Sequence, residues 1–218
     1  MHVAIIMDGN RTWAKRFNLP WIDGHKKGAD AVKNIIECCP KLGIKTLTLY
    51  AFSTENFKRS QDQVDGILEI IAASASTYKV KAIKEGIRVK LLGDISRLPK
   101  NIKDPLVDLM EETKNGNVLT VQLAVSYGGR DEIVRAVNKL VNEGREITEE
   151  SISQQLDTPL EPDIVIRTGG QMRTSNFLPW QSVYSELFFV EKNWPDFTVA
   201  DLEQVLLEYA KRNRKFGR

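Results

Sequence analysis

The sequence predicts an α/β protein with a single domain over residues 1–218 and a central, mainly parallel sheet of about six strands flanked by helices. Three observations predict this class. Six short runs have β-type composition, several of them are apolar nearly throughout, and helical patterns separate most of them. Alternating strands and helices favour parallel pairing, and continuous apolar runs are typical of strands that helices cover on both faces.

The elements follow one another regularly along the chain. The β-type runs occupy residues 3–7, 46–52, 88–92, 119–125, 163–167 and 187–190. The main helical patterns cover residues 28–42, 64–85, 104–114, 131–144 and 201–213, and a short helix begins at Arg11. A chain of 218 residues, 42% of them hydrophobic, can build one well-buried core and is too short for two comfortable domains.

Polar or glycine-rich segments come directly after five of the predicted strands. They are DGN (8–10), STEN (53–56), GD (93–94), SYGGR (126–130) and TGG (168–170). In open α/β sheets, ligands bind outside the carboxyl ends of the strands. We therefore expect these five loops to gather around one site.

Composition excludes several classes of protein. A net charge of +2 gives no general attraction to nucleic acid, and no apolar stretch approaches the length of a membrane-spanning helix. The first residues run directly into a strand and do not resemble a signal peptide.

The adjacent Cys38 and Cys39 lie in a helical pattern, where a disulfide between them would be strained. We expect buried thiols and a cytoplasmic protein, and with only two histidines a structural zinc site is disfavoured.

Common catalytic motifs are missing from the sequence. No strand is followed by GxxxxGK[ST], no GxGxxG follows the first strand, and there is no GxSxG elbow.

Electrophilic chemistry on a phosphate ester fits the sequence better than covalent catalysis by a side-chain nucleophile. Asp8 ends the first strand beside a helix start, where backbone N–H groups suit an anion and Mg²⁺ can bridge a carboxylate to phosphates. The alternative for Asp8 is a simple helix N-cap.

A second polar group surrounds the glycine pair after the fifth strand. Arg167, Arg173 and Ser175 bring two guanidinium groups and a hydroxyl close to these glycines. Arginine's planar fork suits phosphate oxygens, and glycine lets the backbone approach them closely. This segment is the second candidate phosphate site.

Eight segments, collinear and at matching spacing, resemble undecaprenyl diphosphate synthase and its cis-prenyltransferase relatives. They are HVAIIMDGN (2–10), GHKKGA (24–29), LTLYAFSTENFKR (47–59), LLGD (91–94), YGGRDEIV (127–134), IRTGGQMRTSNFLPWQSVYSELFF (166–189), WPDF (194–197) and RKFG (214–217). The resemblance implies a Mg²⁺-dependent transferase that condenses isopentenyl diphosphate with an allylic diphosphate, farnesyl diphosphate in the first instance. The product implied is a Z-polyprenyl diphosphate, the precursor of a cell-wall lipid carrier. It also implies a homodimer, with peripheral membrane contact for product release.

The resemblance implies a role for each candidate residue. Asp8 and Asn56 are catalytic, Asp8 as a Mg²⁺ ligand and Asn56 as the group that orients the reactants or the departing proton. A second Mg²⁺ ligand, Glu186, approaches from or near the dimer interface. The diphosphate-binding residues are Gly9, Asn10, Arg11, His25 and Arg59 for the allylic substrate, and Arg167, Arg173 and Ser175 for isopentenyl diphosphate.

The family's hydrophobic tunnel would hold the growing chain. The long helical pattern from Val64 contains the small residues 72–75 and would form one wall, the alternative being a closely packed core helix. Ala51 and Leu119 are further candidate lining positions.

Three departures from the family pattern concern diphosphate binding. Thr12 and Trp21 stand where relatives commonly carry arginine, and Gln171-Met172 replaces a Glu-His pair. The allylic site has therefore lost cationic groups, which predicts weaker primer binding, a different primer or a degraded site. The alternatives to the main reading are an enzyme that makes short or branched prenyl diphosphates, a non-catalytic partner subunit of a heteromeric prenyltransferase, and a plain anion-binding module.

Overall fold

The structure, a computed structural model, describes residues 1–212, so the RKFG segment lies outside the described residues. Within residues 1–212 six strands form one sheet. They are β1 (His2–Ile6), β2 (Thr46–Ser53), β3 (Ile87–Leu92), β4 (Leu119–Tyr127), β5 (Ile164–Arg167) and β6 (Glu186–Phe189). Their order is β3-β4-β2-β1-β5-β6, and each neighbouring pair in the described chain is parallel. The predicted sheet is confirmed.

The strand register brings the carboxyl ends together. Ile6, the last residue of β1, pairs with Tyr50 on β2 and with Arg167 on β5. Arg167 in turn pairs with Phe189, the last residue of β6. Because the strands run in the same direction, the loops that follow them meet at one edge of the sheet.

Helices cover the sheet on both faces. They are α1 (Asn10–Arg16), α2 (Trp21–Cys38), α3 (Gln61–Lys84), α4 (Lys100–Glu112), α5 (Gly129–Asn142), α6 (Glu149–Gln155) and α7 (Val199–Lys211), with short 3₁₀ helices at Thr54–Lys58, Ile95–Arg97 and Trp194–Asp196. Helices α2, α3, α4 and α7 contribute side chains to the core cluster that contains Val3 and Ile5. The opposite face carries Ala4 and Ile6, packed with Phe177. This alternation follows from the two-residue period of a strand.

Two helices differ from the sequence expectation. Helix α2 begins at Trp21, seven residues before the predicted start, because the polar and glycine-containing 22–28 segment hides its periodicity. Helix α6 was not predicted. It is a short helix that begins with a capping box. In this box Thr148 Oγ1 accepts from the Ser151 N–H, and the Ser151 hydroxyl accepts from the Thr148 N–H.

In residues 1–212 no helix combines the length and the apolar character that crossing a bilayer requires.

Candidate active site

One cavity of about 780 Å³ opens at the carboxyl edge of the sheet and extends between the sheet and helices α2 and α3. Ten of the eleven candidate residues line it. They are Asp8, Gly9, Asn10, Arg11, His25, Asn56, Arg59, Arg167, Arg173 and Ser175. Loops separated by more than 100 residues in sequence thus contribute to one polar mouth, as the parallel topology predicts.

Arg167 is the central side chain of the polar mouth. It is only 5% exposed, and its Nη2 donates to Asp8 Oδ2 at 2.7 Å. Its Nη1 donates to Ser175 Oγ and to the Arg173 carbonyl, both at 2.6 Å. The guanidinium therefore ties the loop after β1 to the loop after β5. Asp8 is paired with this cation, and 40% of its side chain remains exposed to the cavity.

The backbone around Asp8 is held from two sides. Its N–H donates to Thr168 Oγ1 at 3.0 Å, and the Thr168 hydroxyl donates back to the Asp8 carbonyl at 2.8 Å. That carbonyl also accepts the Trp194 backbone N–H at 3.0 Å. The Trp194 indole N–H donates to the Gly28 carbonyl of α2, so the WPDF segment anchors the loop from behind.

Gly9 is the N-cap residue of α1, so Asp8 is not the cap that the alternative required. The φ of Gly9 is +102°, a conformation that favours glycine. A β-carbon here would meet Asn193 Oδ1 at 2.4 Å. Asp8 Oδ1 accepts the Gly9 N–H at 2.8 Å, so the carboxylate faces the turn and the cavity.

The loop that carries Ser175 has a strained backbone. Ser175 and Asn176 have φ values of +49° and +66°, which non-glycine residues rarely adopt and which cost on the order of 1–3 kcal/mol each. Asn176 Nδ2 donates to Glu55 Oε1, its Oδ1 accepts the Arg130 N–H, and its carbonyl accepts the Gly129 N–H. These bonds hold Ser175 where Arg167 reaches it.

Arg11 and Arg59 form a cationic side of the mouth, next to His25. The pKa of His25 is lowered to about 4, first by burial and then by the charges of Arg59 and Arg11. Burial, followed by repulsion from Arg11, also lowers the pKa of Arg59, which Asp8 partly offsets. Two guanidinium groups close enough to repel each other and open to a cavity are suited to an anion.

Asn56 closes a capping box at the start of the 3₁₀ helix after β2. Its Oδ1 accepts the Ser53 N–H at 3.0 Å, and the Asn56 N–H donates to Ser53 Oγ at 3.2 Å. Because the backbone donor fixes which amide atom is the oxygen, the Nδ2 amino group is the part of this side chain available to the cavity.

Glu186 is the eleventh candidate residue, and within one chain it lies away from Asp8. It begins β6 opposite Ile164, three residues before Phe189 at the carboxyl edge, which is about 10 Å along a strand. Its Oε2 accepts from Arg212 Nη1 at 2.6 Å. Within one chain, strand register therefore puts Glu186 and Asp8 at different heights, and the expected approach of Glu186 from or near a dimer interface stays a prediction.

Asp8 fits a Mg²⁺ that arrives with its substrate. Across residues 1–212 no group of three or more His, Cys, Asp or Glu side chains is arranged to hold a metal. Mg²⁺ commonly keeps several waters and uses one or two carboxylates together with substrate phosphates. A partly exposed carboxylate in a cavity that arginines also line matches that mode of binding.

The interior of the cavity is apolar. Helix α3 contributes Ile67, Ile70, Ile71, Ser74, Ala75 and Tyr78, and the far end is lined by Ile87, Val89, Leu109, Val121 and Leu123. Ala51 lines the cavity as expected, whereas Leu119 is buried in the core at 1% exposure. Both alternatives for the small residues of α3 hold in part: Ser74 and Ala75 line the cavity, while Ala72 and Ala75 also belong to the buried core cluster.

Several contributors to the site were missed from the sequence. Glu55 and Asn176 bridge two loops across the mouth, and Thr168 and Trp194 hold the Asp8 backbone. The residue types at these four positions do not by themselves predict a functional role. Their presence inside the matched segments was the one available indication.

Comparisons with known proteins agree with this geometry. Residues 6–217 match a family model described as "Putative undecaprenyl diphosphate synthase". The chain is 47% identical to the isoprenyl transferase of Aquifex pyrophilus, covering 100% of this chain and 95% of that protein. It is 40% identical to the isoprenyl transferase of Clostridium perfringens, with coverages of 99% and 89%.

Two solved structures share the fold over the full chain. One is lavandulyl diphosphate synthase from Lavandula x intermedia in complex with dimethylallyl diphosphate, with a TM-score of 0.96 and 36% identity, covering 100% of this chain and 98% of that one. The other is a probable undecaprenyl diphosphate synthase from Campylobacter jejuni, with a TM-score of 0.88 and the same identity and coverages. The chain therefore belongs to the undecaprenyl diphosphate synthase-like family of prenyltransferases.

Proposed function

We propose that this protein condenses isopentenyl diphosphate with an allylic diphosphate, farnesyl diphosphate in the first instance, to give a Z-polyprenyl diphosphate of the undecaprenyl type. The observation that carries the proposal is the cavity that joins a polar mouth containing Asp8 and Arg167 to an apolar interior. The mouth suits two diphosphates, and the interior suits a growing hydrocarbon chain.

Isopentenyl diphosphate is assigned to the side of the mouth built by Arg167, Arg173 and Ser175. Arg167 is buried and already oriented by three contacts, so it loses little freedom on binding. Arg173 is exposed, and its Nη1 donates to the neutral Gln171 side chain, which leaves the full charge of Arg173 for the ligand. Charge-assisted bonds of this kind are worth roughly 1.5–3 kcal/mol each.

The allylic diphosphate is assigned to Gly9, Asn10, Arg11, His25 and Arg59. As the allylic carbon–oxygen bond breaks, its electron pair leaves with the diphosphate and positive charge develops on carbon. Preorganised donors aimed at the leaving group stabilise that charge separation. The π electrons of isopentenyl diphosphate then form the new carbon–carbon bond, and loss of a proton restores a double bond. Asn56, with its Nδ2 available at the mouth, orients the reactants or the departing proton.

Asp8 is the proposed Mg²⁺ ligand, and Glu186 is proposed to join it from a second copy of the chain. When bound, Mg²⁺ supplies electrostatic stabilisation to the diphosphate oxygens. Asp8 holds its carboxylate open to the cavity through the Gly9 N–H and Arg167. These contacts position the carboxylate before substrate arrives.

A homodimer is proposed because β6 is an edge strand flanked by exposed apolar side chains. Leu187 is 38% exposed and Val183 is 68% exposed, and such edges are normally covered. Exposed Phe17 and Leu19 support peripheral membrane contact. A cytoplasmic location remains part of the proposal. Light scattering on an active preparation should give the mass of a dimer, and a monomer mass would contradict this assembly.

A second candidate function is synthesis of a short or branched prenyl diphosphate. The match to lavandulyl diphosphate synthase, with a TM-score of 0.96, favours it. The loss of arginine at Thr12 and Trp21 also leaves room for a different allylic substrate. The cluster of Asp8, Arg167 and Ser175 argues against a non-catalytic partner subunit, which has no need of it.

Product analysis separates these functions. Purified protein is incubated with Mg²⁺, isopentenyl diphosphate and a panel of allylic primers, and products are identified by mass. The proposal predicts a series of long products from farnesyl diphosphate. Short or branched products from dimethylallyl diphosphate would support the second candidate, and no product from any primer would contradict both.

A further inference from the structure

Trp21 makes a contact next to the site that the proposed roles do not use. It is the first residue of α2 and lies one helical turn before His25. The two rings meet edge to face, with centroids 5.7 Å apart and planes at 76°. Of the described residues, His25 lines the cavity and Trp21 does not. Trp21 therefore acts on the site through a neighbour and not through a ligand.

Gly66 on α3 makes room for the Trp21 ring. A β-carbon at Gly66 would lie 3.0 Å from Trp21 Cη2 and 3.1 Å from Ile22 Cδ1. The two helices thus approach so closely that the indole fills the space where a side chain of residue 66 would be. The Trp21 ring closes the crevice between α2 and α3 beside His25.

The surroundings of His25 make its protonation state sensitive to water. Its Nε2 is buried and has no hydrogen-bond partner within residues 1–212. From α1 it faces Arg11, and from the segment after the 3₁₀ helix it faces Arg59, while α3 presents Gly66 to the Trp21 ring. Burial is the largest cause of its lowered pKa, ahead of the two arginines. Whatever keeps water from the imidazole therefore keeps it uncharged.

We propose that Trp21 is a positioning residue for His25, holding the imidazole in place beside the proposed diphosphate site and shielding it from water in the free enzyme. The identity of that ligand rests on the proposed function, whereas the Trp21–His25 contact does not. An uncharged imidazole avoids a third positive charge beside Arg11 and Arg59 in the free enzyme. A bound diphosphate reverses the local field, which favours protonation of His25 in the complex.

NMR titration of the histidines tests this directly, because the chain contains only His2 and His25. The Cε1–H signals are followed from pH 8 to 5, and a His2→Gln variant assigns them. In the wild type we expect His25 to remain neutral over this range. In Trp21→Ala its pKa should move up toward the ordinary value of about 6.5, with His2 as an unmoved internal reference. Trp21→Phe keeps an aromatic edge and should restore most of the wild-type behaviour.

A second variant keeps the proposal testable if Trp21→Ala does not fold. Gly66→Ala crowds the same ring from α3 and should raise the pKa of His25 without removing the indole. If His25 titrates as in the wild type in both folded variants, the role of Trp21 is wrong.

Ligand binding and kinetics separate this inference from the proposed function. Inorganic pyrophosphate added to the wild type should raise the pKa of His25. If pyrophosphate leaves the pKa of His25 unchanged but Trp21→Ala raises it, the assignment of the allylic site is wrong. The positioning role of Trp21 would still stand. In Trp21→Ala, kcat/KM for the allylic primer should become pH-dependent between pH 5 and 7.5, while KM for isopentenyl diphosphate stays within twofold of the wild-type value. Equal changes for both substrates would overturn the positioning role.

Discussion

Replacing Asp8 with asparagine tests whether this carboxylate serves chemistry or the fold. Asparagine keeps one carbonyl oxygen, which can accept from Arg167 or from the Gly9 N–H but not from both, so the variant removes the charge and one acceptor with little change of volume. A charge-assisted hydrogen bond exceeds a neutral one by about 1 kcal/mol. Because the Asp8 side chain is 40% exposed, solvent screening reduces this further. The hydrogen bond that asparagine cannot make adds about 1 kcal/mol, so for a chain of this length we expect a fall in melting temperature of no more than about 8 °C.

The expected loss of activity is much larger. If Asp8 holds Mg²⁺ on the substrate as proposed, removing its carboxylate costs several kcal/mol of charge stabilisation. Each 1.4 kcal/mol is a factor of ten, so turnover should fall by about 10²-fold or more. The assay is incorporation of labelled isopentenyl diphosphate across a Mg²⁺ titration, with thermal melts followed by circular dichroism.

Asp157→Asn is the matched control. Asp157 also pairs with an arginine, Arg135, at 2.6 Å, and its Oδ2 accepts the Gly93 N–H, but it is only 16% exposed and does not line the cavity. This variant should lose more stability than Asp8→Asn and far less activity. A folded Asp8→Asn protein with near-normal Mg²⁺-dependent turnover would refute the reasoning. A fall in the melting temperature of Asp8→Asn larger than that of Asp157→Asn would also refute it.

Three further predictions concern specificity, backbone and pH. Thr12→Arg should lower KM for the allylic primer by about tenfold, the effect of one added charge-assisted bond, and leave KM for isopentenyl diphosphate nearly unchanged; equal shifts in both constants would show that the two diphosphate sites are wrongly assigned. Gly169→Ala should lower the free energy of unfolding by about 1–3 kcal/mol in urea titrations, because the φ of Gly169 is +81° and the new β-carbon would lie 3.0 Å from the Asp8 carbonyl carbon; unchanged stability would contradict the tight approach of the two loops. Burial lowers the pKa of both His2 and His25 to about 4, so between about pH 6.5 and 4 the unfolded chain binds protons that the folded chain does not, and stability should fall as pH falls. The slope should be shallower in His2→Gln, and an unaltered slope would show that His2 does not contribute.

The fold was predictable from sequence because its strands are apolar nearly throughout. The observed strands begin and end within two residues of the predicted ones, and the parallel order follows from helices placed between strands. Helix α2 shows the limit of this reasoning. Its first turn contains Trp21 and Asp23 and then Gly24, a mixture without helical periodicity, and it folds as helix because it packs against α1 and α3.

The site was predictable as a set of residues and not as a set of contacts. Loops after parallel strands had to meet, so the convergence of Asp8 and Arg167 on one cavity follows from topology. That Arg167 pairs with Asp8 and with Ser175 depends on strand register and on a left-handed turn at Ser175. Glu186 cannot be judged in this way, because the resemblance places its role at or near a dimer interface and the register of β6 fixes its position only within one chain.

The double-bond geometry of the product tests the central proposal most directly. Wild-type protein is given Mg²⁺, farnesyl diphosphate and ¹³C-labelled isopentenyl diphosphate, and NMR of the extracted product reports the configuration of each new double bond. The proposed function, in which both diphosphates bind at the mouth around Asp8 and Arg167 and the growing chain occupies the apolar interior, predicts Z geometry at every added unit. New double bonds of E geometry, or an irregular linkage between two allylic units, would contradict the proposed function.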